Sequence, residues 1–502
     1  MKKIIIAVVG ITSLGIFSSC KKYLDINKSP NNIVETAAPM DLLLTNVTIN
    51  TGFMGGSDLF RYGALLTQQF SGQTTGGETQ TQQYEKYLIQ SADVNNAWST
   101  YYATILNDIE VIIKLAKTNN APYYGGVAKL LKAYNYQLIV DAWGVVPFSE
   151  AEQTSANLYP KFDDGAAVYT ATLALIDEAL ADLNSTSTGL APGTNSTIYS
   201  GAFTTKKANW IKFGNTLKLR MLMHYSKSDK AGLVTKVTAL VNANPGFMAS
   251  VADNFEMPFI NQSGRFNPIH QFEVSRTNYL FPNKFMVDMM NTKTDPRRPF
   301  YFTQFPAGSG LYAGAKAADV ASQKYSRMHA YLRGGANGGT PNTDGSYDPL
   351  PAKGITYTGD APIRMLTFAE YNFLRAEAAL YGAPGDPQAF YAAGITASMT
   401  NAGVAASDIT AYLATANGTL TGTADQKLKQ VMEEKYIANY GVCMEPWTDW
   451  RRTGYPAISK VSNAVAADIL RSLPFPQSEI DVNPNTPPQK TDLSAKFIFW
   501  DK

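Results

Sequence analysis

Apolar residues recur at steps of three and four residues over several long stretches, and this spacing is the strongest constraint on the fold. It is clearest over 98–113 and 169–183, and it is repeated over 123–143, over 209–225 and again after Thr367. A period near 3.6 residues is that of an amphipathic helix. Such helices in series predict a mainly α-helical stack of helix pairs, although the sequence has no clean internal repeat.

The stretch 242–359 differs from the rest because it is rich in Gly, Pro, Asn and Tyr. Only 282–291 has a convincing helical pattern, and short strands are expected near 255–259 and 355–358. Loops on a rigid scaffold are where proteins usually place recognition. We therefore expect this region to form the ligand face.

The same change in composition divides the chain into three parts after the tether. We predict a single body over 39–502, made of N-terminal helical repeats (39–241), the loop-rich region and C-terminal helices (360–502). A polar run over 71–83, rich in side-chain amides, is predicted to be a surface loop.

The first twenty residues have the pattern of an export signal. Lys2 and Lys3 precede a mostly apolar or small run, which ends in small residues just before Cys20. This run is shorter than the roughly 20 residues of a membrane span. We predict a lipoprotein signal peptide over 1–19, a lipid-modified Cys20 and a tether over 20–38; the alternative is an ordinary secretory signal followed by a chance cysteine.

Charge and composition narrow the class of ligand. Removing Lys2 and Lys3 with the signal leaves 41 basic residues against 41 acidic ones, so no basic excess favours nucleic acid. Aromatic residues make up 12% of the chain, including 28 Tyr. Rings that stack on sugar faces, together with neutral amides and hydroxyls, suit carbohydrate ligands. The alternative for each ring is a place in the core.

Motifs for catalysis are missing from the sequence. The three histidines lie far apart without zinc-ligand spacing, and no nucleophile elbow, phosphate loop or dinucleotide fingerprint is present. We therefore predict a protein that is not an enzyme and has no cofactor or metal. Paired carboxylates of a glycosidase stay open as an alternative, with Asp141, Glu150, Glu445 and Asp449 as candidates.

Charged residues cluster beside two tryptophans near position 450. Charges next to large rings in a short segment usually form a hydrogen-bonded network that fixes a helix end. The residues concerned are Glu445, Asp449, Arg451 and Arg452. We predict a structural ion-pair network here. His224, on an apolar helix face, is predicted to be a satisfied core group, and Cys443 a small buried residue.

Several short stretches, taken in order, resemble one known family. They are 20–32, 141–150, 295–299, 369–378, 434–438 with 445–452, and 471–479. Examples are Asp-Ala-Trp-Gly-Val-Val-Pro-Phe-Ser-Glu at 141–150 and Glu-Pro-Trp-Thr-Asp-Trp-Arg-Arg at 445–452. Together they identify the chain as similar to the SusD-like (SusD/RagB) family of outer-membrane nutrient-binding lipoproteins.

The resemblance implies a fold and a partner. The fold would be tetratricopeptide-like helix pairs forming an α/α superhelical body, with a loop-rich part that completes the ligand face. The partner would be a SusC-like, TonB-dependent outer-membrane barrel, over which the lipoprotein sits as a lid. The protein would lie in the outer membrane, facing the cell exterior, although Lys21 and Lys22 depart from the acidic residues that surface-exposed members often carry after the cysteine.

The ligand is less defined than the family. Members of the family bind glycans most often, and some are associated with peptides or other nutrients. We predict capture of an oligosaccharide and its transfer to the barrel; the alternatives are a peptide-binding or other nutrient-binding lid and a surface glycoside hydrolase. Candidate contacts come from the variable loops and their aromatics: Gln73, Trp98, Asn278, Tyr279 and Tyr312. A structural role is the alternative for each.

Overall fold

The computed structural model describes residues 39–73, 76–317, 319, 324–349 and 352–502. The predicted signal peptide, Cys20 and the tether lie outside these residues. The chain divides into Met1–Met40 and Asp41–Lys502. The helix pairs, the sheets and the cavities belong to the second of these units.

Helices dominate the described residues, as the apolar spacing predicts. In chain order they are α1 (Met40–Gly55), α2 (Asp58–Leu66), α3 (Gln80–Glu85), α4 (Asn95–Ser99), α5 (Asn107–Thr118), α6 (Pro122–Trp143), α7 (Gly165–Asn184), α8 (Phe203–Met223), α9 (Lys230–Asn242), α10 (Pro268–Ser275), α11 (Lys284–Thr292), α12 (Arg298–Tyr301), α13 (Ala330–Arg333), α14 (Phe368–Leu380), α15 (Pro387–Ala402), α16 (Ala406–Leu413), α17 (Ala424–Ala438), α18 (Glu445–Thr453) and α19 (Gln477–Val482).

Strands are short and pair only in twos. They are β1 (Phe70–Gly72), β2 (Val146–Pro147), β3 (Phe162–Asp163), β4 (Phe255–Met257), β5 (Leu280–Pro282), β6 (Ala336–Asn337), β7 (Thr356–Tyr357) and β8 (Ile363–Leu366). The antiparallel pairs are β1 with β5, β2 with β3, β4 with β8 and β6 with β7. The mainly helical prediction is confirmed, and so are the strands expected near 255–259 and 355–358.

The N-terminal helices pack as successive pairs. Helix α6 lies against α5 on one side and α7 on the other, and α7 packs in turn against α8. Gly126 of α6 permits the close approach of α7, because a Cβ there would lie 2.9 Å from the Ala179 carbonyl oxygen and 2.8 Å from Leu183 Cγ. The stripe predicted over 98–113 is helical throughout, but its first part, Thr100–Leu106, is a π-helix.

Side-chain caps begin the C-terminal helices where the sequence indicates. The Thr367 hydroxyl accepts a hydrogen bond from the Glu370 amide at 3.1 Å and begins α14. Thr423 and Gln426 form a full capping box at the start of α17. Each cap satisfies amide groups that have no partner within the helix.

The predicted surface loop at 71–83 is wrong for much of its length. Residues 70–72 form β1, and Thr79 caps α3 with Gln82 in a capping box. Gln73 and Thr81 are fully buried, because β1 pairs with β5 of the loop-rich region and α3 packs beside it. Tertiary pairing has overridden the polar composition of this segment.

The charged segment near position 450 forms α18, and its charges are buried together. Lys435 Nζ lies 3.0 Å from Glu445 Oε1 and 2.9 Å from Asp449 Oδ2. Arg452 pairs with Asp449 at 2.5 Å and with Glu377 at 2.7 Å. Burial opposes ionisation of Glu445, but Lys435 and His224 outweigh it and hold the pKa of Glu445 well below its usual value.

Arg451 differs from its neighbours because its hydrogen bonds go to three backbone carbonyls and to the Thr448 hydroxyl. Its Nη1 donates to Asp141 O at 2.6 Å and to Arg471 O at 2.8 Å, and its guanidinium carbon lies 3.8 Å from the Trp447 ring centroid. It therefore joins α6, α18 and the C-terminal segment.

In the described part of the chain, no helix combines the length and apolarity needed to cross a membrane.

Candidate functional site

A cavity of about 310 Å³ lies entirely within the loop-rich region. Its lining residues are Pro299, Phe302, Thr303, Gln304, Gly308, Tyr312, His329, Tyr347 and Ile355. None of these described lining residues carries a formal charge at neutral pH. We call this the Tyr312 cavity; it lies within 242–359, where the ligand face is predicted.

Aromatic rings form the apolar wall of the cavity. The Phe302 and Tyr312 ring centroids lie 6.4 Å apart with an interplanar angle of 60°. The Arg298 guanidinium carbon lies 5.4 Å from the Tyr312 centroid, and Asn291 Nδ2 donates to the Tyr312 carbonyl at 3.0 Å. These contacts fix Tyr312, whose residue is 9% exposed, so the accessible part of its ring is a pre-organised apolar surface that a ligand could contact.

Neutral hydrogen-bonding groups stand beside the rings. Gln304 Oε1 accepts from the Gly310 amide at 2.9 Å, and this contact orients its side-chain amide. Thr303 Oγ1 accepts from the Arg327 amide at 2.9 Å. Both side chains are held by backbone groups of neighbouring loops, so the polar positions of the cavity are set before any ligand arrives.

His329 adds a neutral imidazole. Its Nδ1 lies 2.7 Å from the Tyr357 hydroxyl, and the donor in this contact depends on the tautomer of the ring. Burial, with a smaller effect from the positive charge of Arg333, lowers the pKa of His329 to about 4. At neutral pH the ring is uncharged, and Nε2 offers a ligand hydroxyl an acceptor in one tautomer and a donor in the other.

Three of the predicted contacts lie together outside the cavity lining. The backbone N–H of Gln73 donates to Tyr279 O at 3.1 Å, and the side-chain Nε2 of Gln73 donates to Lys316 O at 3.0 Å. Asn278 is mostly buried, and its Oδ1 accepts from Arg327 Nη2. The β1–β5 pair brings these residues together, and the contacts above tie them to other parts of the protein, while the buried Gln73 Oε1 has no hydrogen-bond partner among the described residues.

Trp98 lies in a cluster of buried rings that contributes nothing to the Tyr312 cavity. Its side chain is 3% exposed, and its indole N–H donates to Glu479 Oε1 at 3.0 Å. Its ring centroid lies 4.6 Å from Tyr102 and 5.2 Å from Trp143. This environment favours the structural alternative, and ligand contact by Trp98 stays a prediction.

Of the five predicted contacts, Tyr312 is the one that lines the cavity. Phe302, Gln304, His329 and Tyr347 were not predicted, because they come from separate segments that only the folded chain brings together. The two glycines that precede Tyr312, at 308 and 310, were the available signal.

The carboxylates considered for a glycosidase do not line this cavity. Asp141 and Glu445 are buried on either side of His224, and Glu150 accepts from the Lys161 amide near the surface. His224 is fully buried and bonded, as predicted for a core group. Across the described residues, no group of three or more His, Cys, Asp or Glu side chains is placed to hold a metal ion.

The chain matches the model of a known protein family over most of its length. The family model SusD-like_2, described as starch-binding associating with outer membrane, matches residues 30–476. The match covers most of the chain, and the protein therefore belongs to this SusD-like family. The resemblance inferred from the short motifs is confirmed. A search of curated proteins found no match.

Solved structures show the same fold. A chitin-binding protein superposes with a TM-score of 0.72 at 22% identity, covering 92% of this chain and 100% of that one. A SusD homolog from Bacteroides fragilis gives 0.72 at 20% identity, covering 93% and 99%. A chitin-binding SusD homolog from Flavobacterium johnsoniae gives 0.70 at 21% identity, covering 93% and 98%. At these identities the similarity establishes the fold.

Proposed function

We propose that this protein is a lipid-anchored outer-membrane nutrient-binding protein that captures an oligosaccharide in the Tyr312 cavity and passes it to a SusC-like, TonB-dependent transporter. The observation that carries the proposal is the cavity itself. It joins fixed aromatic rings to neutral hydrogen-bonding groups, and its described lining has no formal charge at neutral pH. Sugar rings have an apolar face for stacking and hydroxyls that need such partners.

The family supports the same conclusion from a different direction. Its description refers to starch binding and to association with the outer membrane, and two structural relatives are described as chitin-binding. The predicted signal peptide and Cys20 supply the anchor, so that the body is held beside the membrane in which a barrel partner would lie. The function is binding and transfer, without turnover of the ligand.

Affinity should be modest, because a transfer protein must also release its ligand. Stacking contributes about 1 kcal/mol per ring beyond buried area. A small number of rings therefore supports dissociation constants of roughly micromolar or weaker.

Calorimetric titration of the mature chain tests binding directly. Maltohexaose and chitohexaose are suitable probes, with a short peptide of similar size as the competing ligand class. Tyr312→Ala should weaken binding about tenfold through loss of the stacking face and its buried area. Tyr159→Ala is the matched control, since Tyr159 is 47% exposed and outside the cavity lining, and it should bind as the wild type does.

Two outcomes would contradict this assignment. Binding of the peptide but of neither glycan would favour a peptide-binding lid. Product formation from a glycan, abolished by one carboxylate substitution, would favour a hydrolase.

Transfer to a barrel needs a separate test. The native lipoprotein should be pulled down from gently solubilised outer membranes, and a large barrel protein should accompany it. If no barrel accompanies it while other outer-membrane complexes survive, the transporter part of the proposal is wrong and a free-standing surface binder replaces it.

A further inference from the structure

A second cavity, of about 260 Å³, lies between the end of α6 and the C-terminal segment. Trp143 and Val145 form one part of its lining, and Phe475, Phe497 and Lys490 belong to the other. It shares no lining residue with the Tyr312 cavity. We call it the Lys490 cavity.

The Lys490 ammonium group is held in place by backbone carbonyls. Its Nζ donates to Trp143 O at 2.8 Å and to Leu473 O at 2.6 Å. An ammonium group has three N–H donors, so one is left after these two contacts. Within the described residues, no carboxylate oxygen lies inside the 4.0 Å limit of an ion pair with this nitrogen. Among the residues that the structure describes, the cation therefore has dipolar partners and no counter-ion.

Two aromatic rings lie near Lys490 Nζ. Lys490 Nζ lies 4.6 Å from the Phe475 ring centroid and 5.5 Å from that of Phe497. Phe497 is 40% exposed, so a large apolar ring stands open to solvent at the cavity. Pro487 and Pro488 add further apolar lining. A charge beside flat apolar walls is an arrangement that suits a ligand with an acidic group on a flat body.

Burial, together with the positive charge of Arg451, lowers the pKa of Lys490 to about 7. The lowered value shows that its surroundings do not compensate the ammonium charge. A carboxylate placed at the third N–H would supply the missing countercharge through a charge-assisted hydrogen bond.

We propose that the Lys490 cavity binds a small monocarboxylate with a flat apolar body, its carboxylate on Lys490 Nζ and its body against Phe475 and Phe497. Two sources offer a carboxylate beside an apolar face: a free aromatic acid, and the uronic acid residue of a sugar, whose C–H face takes the place of the aromatic ring. The site would give the protein a second ligand, separate from the neutral oligosaccharide of the Tyr312 cavity.

Titration of the full mature chain with two matched pairs of probes tests the requirement for charge. The first pair is benzoate and benzamide, and the second is glucuronate and glucose. Within at least one pair, the acid should bind saturably at pH 6 and its neutral partner should bind at least about tenfold more weakly, because the ion-paired contact is lost. The pair that shows this difference identifies the source of the ligand.

Two lysine variants then test the position. Lys490→Met should weaken binding of the acid by about tenfold. Lys496→Met removes the same charge from an exposed side chain six residues away and should bind as the wild type does. Tyr312→Ala should also leave the affinity for the acid unchanged, which separates this site from the oligosaccharide site.

Three results would overturn the proposal. The first is equal binding of acid and neutral probe in both pairs, or saturable binding of neither acid. The second is a folded Lys490→Met variant with unchanged affinity for the acid, which would leave Lys490 as a structural tie between α6 and Leu473. The third is equal loss of binding in Lys496→Met. If Lys490→Met does not fold, the comparison of acid and neutral probes on the wild type decides alone.

Discussion

His224 and Glu445 meet in the core, with Nε2 of the imidazole 3.3 Å from Oε2 of the carboxylate although 221 residues separate them. On the other side of the ring, Nδ1 lies 3.4 Å from Asp141 Oδ2. Burial alone would lower the pKa of His224, but Asp141 and Glu445 outweigh it and raise the value to about 9. The imidazole is therefore a buried cation at neutral pH, and it joins α6, the end of α8 and α18.

This arrangement predicts a specific dependence of stability on pH. The pKa of His224 rises from 6.5 in the unfolded chain to about 9 in the fold, so its contribution is fully present below pH 6.5 and is lost as pH rises through 9. His224→Gln should lower the free energy of unfolding by about 3 to 5 kcal/mol at pH 6, because it leaves two buried carboxylates short of a partner. Urea unfolding at pH 6 and pH 9.5 measures the difference, which should shrink at the higher pH. A constant difference would show that His224 is neutral in the fold.

Neighbouring glycines of α6 predict opposite effects on stability. A Cβ at 126 would lie 2.9 Å from the Ala179 carbonyl oxygen, whereas one at 125 would lie 3.4 Å from its nearest neighbour, Asp182 Oδ2. Gly126→Ala should destabilise the protein by about 1 to 3 kcal/mol through overpacking. Gly125→Ala should be neutral or stabilising by up to about 1 kcal/mol, since alanine favours a helix. Thermal melting of both variants checks the pair, and equal melting temperatures would contradict the close approach of α6 and α7.

The pKa of His329 predicts how oligosaccharide binding responds to pH. Because burial lowers that pKa to about 4, the ring keeps one charge state between pH 5 and pH 8. Affinity for the oligosaccharide that binds best should be constant over that range and should fall as the pH drops below 4, where the ring gains a second N–H and a positive charge that burial opposes. Titrations across the range measure this, with a His329→Gln variant as the control that lacks the transition. A change in affinity near pH 6.5 that is lost in His329→Gln would show that the ring is not buried as described.

Local features of the sequence were sufficient for the long helices outside the loop-rich region. The stripe of α7 and the capping residues Thr367 and Thr423 lie within a few residues of the structure that they specify. The segment carrying α3 was mispredicted for the opposite reason, because Gln73 and Thr81 are buried only by the pairing of β1 with β5, about 200 residues away in the chain.

The sequence indicated which region of the chain would line the cavity, but it did not indicate most of the individual lining residues. Loop-rich texture indicated 242–359, yet Phe302, Gln304, His329 and Tyr347 converge from separate loops, and no sequence period records such a convergence. Aromatic content was an ambiguous guide, since aromatic residues form both the cavity wall at Tyr312 and the packed core at Trp98.

The lipid anchor predicts a change of location on a single substitution. Cys20→Ala removes the thiol that would carry the lipid, so the protein should leave the membrane fraction and appear in the soluble fraction. Ser19→Ala leaves the cysteine in place and should stay with the membrane. Fractionation followed by immunoblotting measures both variants. Recovery of Cys20→Ala with the membrane at the wild-type level would contradict lipid anchoring.

Trp98 allows the two roles considered for it to be separated by one pair of measurements. The ring is buried beside Tyr102 and Trp143, and its N–H is bonded to Glu479. Trp98→Ala should therefore lower the free energy of unfolding by about 3 to 5 kcal/mol and leave oligosaccharide affinity unchanged at a temperature where the variant is folded. Trp98→Phe keeps a ring but loses the bond to Glu479, and it should show a smaller loss of stability. Urea unfolding and calorimetric titration of the same samples distinguish the roles. Loss of ligand binding by Trp98→Ala with unchanged stability would instead make Trp98 a ligand contact and would move the proposed site away from the Tyr312 cavity.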